Sequence, residues 1–169
     1  RYLGRETAKS FGVRSRFVHF EFFRLLSDHE GLGKKGDLMA LEVNMRPSGG
    51  FTPDMINFAR ETDVYKIWAD MVAYDSTQKP VGTHHFCAFA GLRDGKDFAL
   101  TPDDIIEKYD DHLKMVERMP DALADAMGNQ MYLATFDTEE ELHTFFADVT
   151  RQKEPDVSVT SEAAEMVES

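Results

Sequence analysis

Cysteine is nearly missing from this chain: Cys87 is the single one in 169 residues. No internal disulfide can form, which excludes a disulfide-framework secreted fold and suits a reducing, cytoplasmic setting. At this length a hydrophobic core does without such staples. Also lacking is any apolar run near the roughly 20 residues that cross a bilayer. No signal peptide is expected. Basic charge is scarce as well. Nineteen Lys and Arg stand against 31 Asp and Glu, a formal net charge of −12. That balance argues against a general nucleic-acid binder. No internal repeat is present, and the length allows one domain, or one with a small attachment. An initiating Met is missing too. The chain opens on Arg1 and RYLGRETAKSFGV and reads as a piece of a longer protein.

What charge there is divides unevenly. Residues 1–50 carry nine Lys/Arg against six Asp/Glu, whereas the remainder carries ten against 25. The basic front includes Arg14, Arg16, Arg24, Lys34, Lys35 and Arg46. It reads either as an ordinary solvated surface or as a local site for an anionic ligand in an acidic protein.

Patterning predicts an α+β fold, an antiparallel sheet with helices packed on it. Residues 3–11 have helical spacing with Gly12 as the stop. The β-branched and aromatic run 15–25 reads as a strand, followed by the polar, Gly-rich loop 26–37. Residues 38–46 alternate as a second strand, and 47–50 turn. Thr52 and Pro53 offer a cap and first helical residue for a helix to about Arg60. Asp63 caps a further helix over 63–74. Residues 83–92 read as a strand, which 97–99 extend as a hairpin. Thr101 opens a helix running to about Arg118, and Pro120 opens a short one. Residues 130–136 form a strand, and Thr138 caps a last helix to about Gln152. The ordered region is thus 1–152, with 153–169 an acidic tail too poor in large apolar residues to fold.

The first two strands carry chemistry. Alternate strand residues share a face, so His19 and Glu21 go together on one strand. Glu42, Asn44 and Arg46 form a row on the other, spaced by about 6–7 Å. If the strands pair as a hairpin, Glu21 stands beside that row. Two carboxylates and an amide oxygen are hard ligands suited to Mg²⁺. Arg46 adds a forked, permanent cation for phosphate or carboxylate oxygens. The plainer alternative is an amphipathic strand with a polar outer face.

The stretch RFVHFEFF, a Gly-rich loop, and then ALEVNMRPSGGFTPDMINFARETDVYKIW resembles the ATP-grasp superfamily. The likeness is to its biotin carboxylase, carbamoyl phosphate synthetase and carboxylate–amine ligase branch, and it covers about residues 13–72. The final strand and helix, MYLATFDTEEELHTFF, are similar to the end of such modules. The resemblance implies the C-terminal subdomain of the ATP-grasp fold. It implies Glu21, Glu42 and Asn44 as metal ligands, with Glu42 bridging two Mg²⁺ ions and Mn²⁺ as an alternative. Arg46 corresponds to the arginine near the transferred phosphate and acyl substrate. Ser48, Gly49 and Gly50 match the turn whose backbone amides approach an anion.

The implied activity is an ATP-dependent ligase that activates a small carboxylate as an acyl phosphate for attack by an amine or similar nucleophile. Positioning and charge neutralisation do most of that work. ATP and a carboxylate are the implied partners; no nucleic acid or membrane is expected, and a homo-oligomer stays open. Only about 20 residues precede Glu21, too few for the lid lysines and adenine contacts that the family carries upstream, so this part alone is expected to be inactive. The alternatives are a non-catalytic relic or regulatory module of the same fold, and a structural interaction module.

Other residues read as structural. His84 and His85 point to opposite faces of a strand, so the pair does not chelate one ion. Cys87 lies in an apolar strand with no basic neighbour. Trp68 has core spacing, His19 is read as a neutral structural histidine, and Glu139, Glu140 and Glu141 favour a helix N-terminus.

Overall fold

The computed structural model describes residues 2–77 and 82–153. The expected tail at 153–169 therefore lies, beyond Lys153, outside the described residues. The chain is α+β and divides into two compact units that meet between His84 and His85. No helix among the described residues is long and apolar enough to cross a membrane.

In the first unit, α1 (Tyr2–Ser10) ends at Gly12, whose φ of +63° closes the helix as expected of glycine. Strands β1 (His19–Arg24) and β2 (Leu38–Asn44) form an antiparallel two-stranded ribbon. Their Gly-rich connection is organised rather than loose. The Asp37 and Asp28 carboxylates accept from the backbone amides of Lys34 and Lys35, each at 2.8 Å. Then come α2 (Thr52–Arg60) and α3 (Val64–Tyr74). The cap of α2 corrects the sequence reading. Phe51 occupies the N-cap, where it makes no side-chain capping hydrogen bond, and Thr52 is already helical. Asp63 does cap α3, accepting from the Lys66 amide at 2.9 Å. The two helices are joined where Asn57 Oδ1 accepts from the Val64 amide at 2.7 Å.

The second unit runs β3 (Phe86–Leu92), α4 (Pro102–Tyr109), β4 (Leu113–Arg118), α5 (Asp121–Met127), β5 (Gln130–Phe136) and α6 (Glu139–Thr150). β5 lies centrally between β3 and β4, antiparallel to both. Two-sided burial explains its near-continuous apolar run. Ala88, Ala90 and Leu92 join Tyr132, Ala134 and Phe136 on the face that receives Ile105 and Tyr109 of α4 and Phe145 and Val149 of α6. The Tyr109 ring meets Phe145 edge-on at 5.0 Å. Thr101 and Thr138 each form a full capping box, with Asp104 and Glu141 respectively.

Two expectations fail here. The helix from Thr101 stops at Tyr109, not near Arg118, because Leu113–Arg118 is the strand β4. Asp110, Asp111 and His112 are weak helix formers, and the half-buried Leu113 and Met115 pair onto β5, which wins over any helical continuation. Residues 97–99 do not extend β3. Phe98 instead bridges to Gln152, and the Ala99 amide donates to the Arg151 carbonyl at 2.8 Å.

Candidate functional site

The β1–β2 register decides which side chains share a face. Glu21 is the direct partner of Glu42, and His19 of Asn44. Side chains directly opposite in an antiparallel pair emerge on the same side, with Cβ atoms about 4.5–5.5 Å apart. The ribbon thus gathers His19, Glu21, Glu42 and Asn44 on one face. Beyond Glu21 the register shifts, so Phe22 pairs with Ala40 and Leu41 is the extra residue. A bulge at this point increases the local twist just beside the paired glutamates.

Each carboxylate is engaged along its own strand. Glu21 Oε1 lies 3.2 Å from His19 Nε2. Glu42 Oε1 accepts from Asn44 Nδ2 at 2.6 Å. Glu42 is exposed, and the Glu21 side chain is 43% exposed, so the face is open. His19 is the less accessible partner, and its Nδ1 is buried with no hydrogen-bond partner among the described residues.

The donor set suits a hard divalent cation in its chemistry: two carboxylates and an amide. In this conformation, no three His, Cys, Asp or Glu side chains among the described residues stand close enough together to hold a metal ion. Asn44 presents its NH₂, not its oxygen, to Glu42.

Arg46 lies past the end of β2 and is exposed; its guanidinium donates to the Pro47 carbonyl at 2.9 Å. Ser48, Gly49 and Gly50 form the link from there to α2. Gly50 takes a φ of +59°, a left-handed turn that favours glycine. A Cβ on Gly49 would meet nothing, so that position is open to an approaching group. Part of the basic front gathers at the same end of the ribbon. Arg14 and Arg16, ahead of β1, line a cavity of about 530 Å³ together with Met45, between Asn44 and Arg46. Asp75 also lines it.

The remaining sequence candidates lie apart from the ribbon's paired glutamates in the chain. His84 and His85 precede β3 instead of lying in it. His84 is exposed, while His85 Nδ1 lies 2.8 Å from Asp137 Oδ1. Cys87 sits half-buried in β3 opposite Thr135, and burial pushes its thiol up to about 11. Burial thus disfavours the thiolate form that a nucleophile needs. Trp68 packs against Phe17 with ring centroids 5.9 Å apart. The contact that the residue pattern undersold is His19 on Glu21. Their i, i+2 spacing on one strand face was the signal for it. Set beside known protein families and curated proteins, the chain matches none of them.

Proposed function

We propose that the β1–β2 ribbon is the metal- and phosphate-facing part of an ATP-dependent ligase of ATP-grasp type. Such an enzyme activates a carboxylate as an acyl phosphate for attack by an amine or similar nucleophile. The observation that carries this reading is the direct pairing of Glu21 with Glu42, with Asn44 two residues on along the same face. Glu21, Glu42 and Asn44 would hold Mg²⁺, or Mn²⁺ in its place. The cation supplies neutralisation of the charge on the β- and γ-phosphate oxygens when bound.

The chain's own residues do the rest. Arg46 releases the Pro47 carbonyl and turns its fork to the transferred phosphoryl group, where a permanent planar cation stabilises spread negative charge. The Ser48-Gly49-Gly50 link brings backbone amides close to the same oxygens without a side chain in the way. Arg14 and Arg16 raise the local anion concentration at that end of the ribbon. His19 holds Glu21 in place through Nε2. On this reading the ribbon supplies metal and phosphate contacts, and it does not itself supply the adenine and lid contacts of such an enzyme.

Mn²⁺ binding followed by electron paramagnetic resonance tests the reading. The wild-type chain should bind Mn²⁺ in competition with Mg²⁺, Glu42→Gln should abolish binding and Glu21→Gln should weaken it. Glu30→Gln, in the connecting loop, should leave it unchanged. Equal binding by wild type and Glu42→Gln would sink the proposal.

A further inference from the structure

The second unit holds a cavity that the ribbon chemistry does not use. Its volume is about 420 Å³, within the range of small-molecule sites. It opens where the sheet ends at Leu92, Arg118 and Gln130, three residues that the β-register sets side by side. The Arg93–Leu100 loop and the start of α4 close the other side.

Leu92, Phe98, Leu100 and Ile105 make the wall apolar. Tyr132 also lines the cavity and is fully buried, yet its hydroxyl has no hydrogen-bond partner among the described residues. A buried hydroxyl left unmatched costs free energy, and a native protein seldom tolerates one without use. Burial, followed by the nearby Asp103, raises the Tyr132 pKa, so the phenol stays protonated and is a donor. What it lacks is an acceptor. Four cations (Arg93, Lys96, Arg118 and Lys153) and two anions (Asp94 and Asp97) line the cavity, with Asp103 also near Tyr132. This is the reverse of the chain's overall charge of −12. Asp94 already holds Arg118 through two bonds of 2.9 and 2.6 Å, which fixes one side of the opening.

We infer that this cavity binds a small organic carboxylate with an apolar body, its carboxylate accepting from the Tyr132 hydroxyl and its body lying along Leu92, Phe98 and Ile105. The site is separate from the paired glutamates and stands whether or not the ligase reading does.

Benzoate is the probe, titrated into the 169-residue chain and followed by NMR line shifts and calorimetry. Saturable millimolar or tighter binding is expected. Tyr132→Phe should weaken it about tenfold, the loss of one charge-assisted hydrogen bond. Lys96→Ala should weaken it less, and benzyl alcohol, which lacks the charge, should bind more weakly than benzoate. Without ligand, Tyr132→Phe should be as stable as wild type or more so, since it removes an unmatched buried hydroxyl. The inference is overturned if benzoate fails to bind, if Tyr132→Phe binds it equally well, or if inorganic phosphate displaces it at equal concentration. It is also overturned if Tyr132→Phe is destabilised while benzoate is silent, which would show that buried water already satisfies the phenol.

Discussion

Individual residues here draw their chemistry from what stands opposite them. Glu21 and Glu42 are ordinary surface carboxylates taken alone; the β1–β2 register makes them a pair. Two like charges directly across a strand pair repel. Asn44 Nδ2 and His19 Nε2 each offset that repulsion by holding one of them. His19→Ala should therefore lower the stability of the ribbon by about 0.5–1 kcal/mol, and saturating Mg²⁺ should restore it. Urea unfolding with and without the cation measures both effects. Cys87 shows the opposite relation between residue and surroundings. Its burial in β3 holds the thiol protonated, with a pKa near 11. Iodoacetamide should alkylate native protein far more slowly than a free thiol at pH 7, and the rate should climb steeply as pH approaches that value. A rate equal to that of unfolded chain at pH 7 would contradict the structural assignment.

At the scale of elements, two helix starts were legible in full. Thr101 with Asp104, and Thr138 with Glu141, sit at capping-box spacing, and both boxes form. β5 was legible over its full length because a strand buried on both faces needs apolar residues throughout. β4 was not. Its pattern, Leu113-Lys114-Met115-Val116, suits either period, and only the exposed edge of β5 selects the strand. The pairing of Glu21 with Glu42 was legible as a shared face, but the bulge at Leu41 was not, since nothing in ALEVN marks it. Nor was the Tyr132 cavity, which depends on where α4 begins relative to the sheet end.

Two contacts between elements support predictions. Gly91 of β3 abuts the C-terminus of α5 so closely that a Cβ would run into the Met127 carbonyl oxygen. Gly91→Ala should cost about 1–3 kcal/mol in urea unfolding through forced displacement of α5. Asp148 of α6 ties that helix to α4 by accepting from Lys108 Nζ and from the Tyr109 hydroxyl, the latter at 2.6 Å. Lys108 first, then Tyr109, holds its carboxyl below the ordinary aspartate value of 3.8. A depressed carboxylate contributes stability that is complete above its unfolded pKa and is lost as pH falls through the folded one. The link should thus be intact at neutral pH and fail only below pH 3.8. Asp148→Asn should cost about 1–2 kcal/mol at pH 7 and flatten the acid limb of the stability profile. An unchanged acid limb would show that the ion pair does not contribute.

Over the whole molecule, burial is distributed very unequally. Between Tyr2 and Thr77, Pro53 and Val64 are the buried residues, whereas Met131 through Phe136 of β5 are buried without interruption. Large apolar side chains of the first unit, including Leu26, Val72 and Tyr74, are more than half exposed. A two-stranded ribbon is marginal by itself, so β1 and β2 should open locally long before the second unit unfolds. Hydrogen exchange read by mass spectrometry should find β5 amides protected by several kcal/mol more than those of Phe20–Phe23 and Met39–Val43. The candidate ligands lie on that low-stability ribbon, which makes cation binding visible as protection. A ligand that binds only the folded ribbon stabilises it by mass action. Addition of Mg²⁺ should therefore slow exchange in β1 and β2 while β5 stays unchanged, and Glu42→Gln should remove the effect. Protection of β1 and β2 equal to that of β5 without any cation would refute the stability argument. Slowing by Mg²⁺ that survives Glu42→Gln would refute the site instead, so the two ideas fail separately.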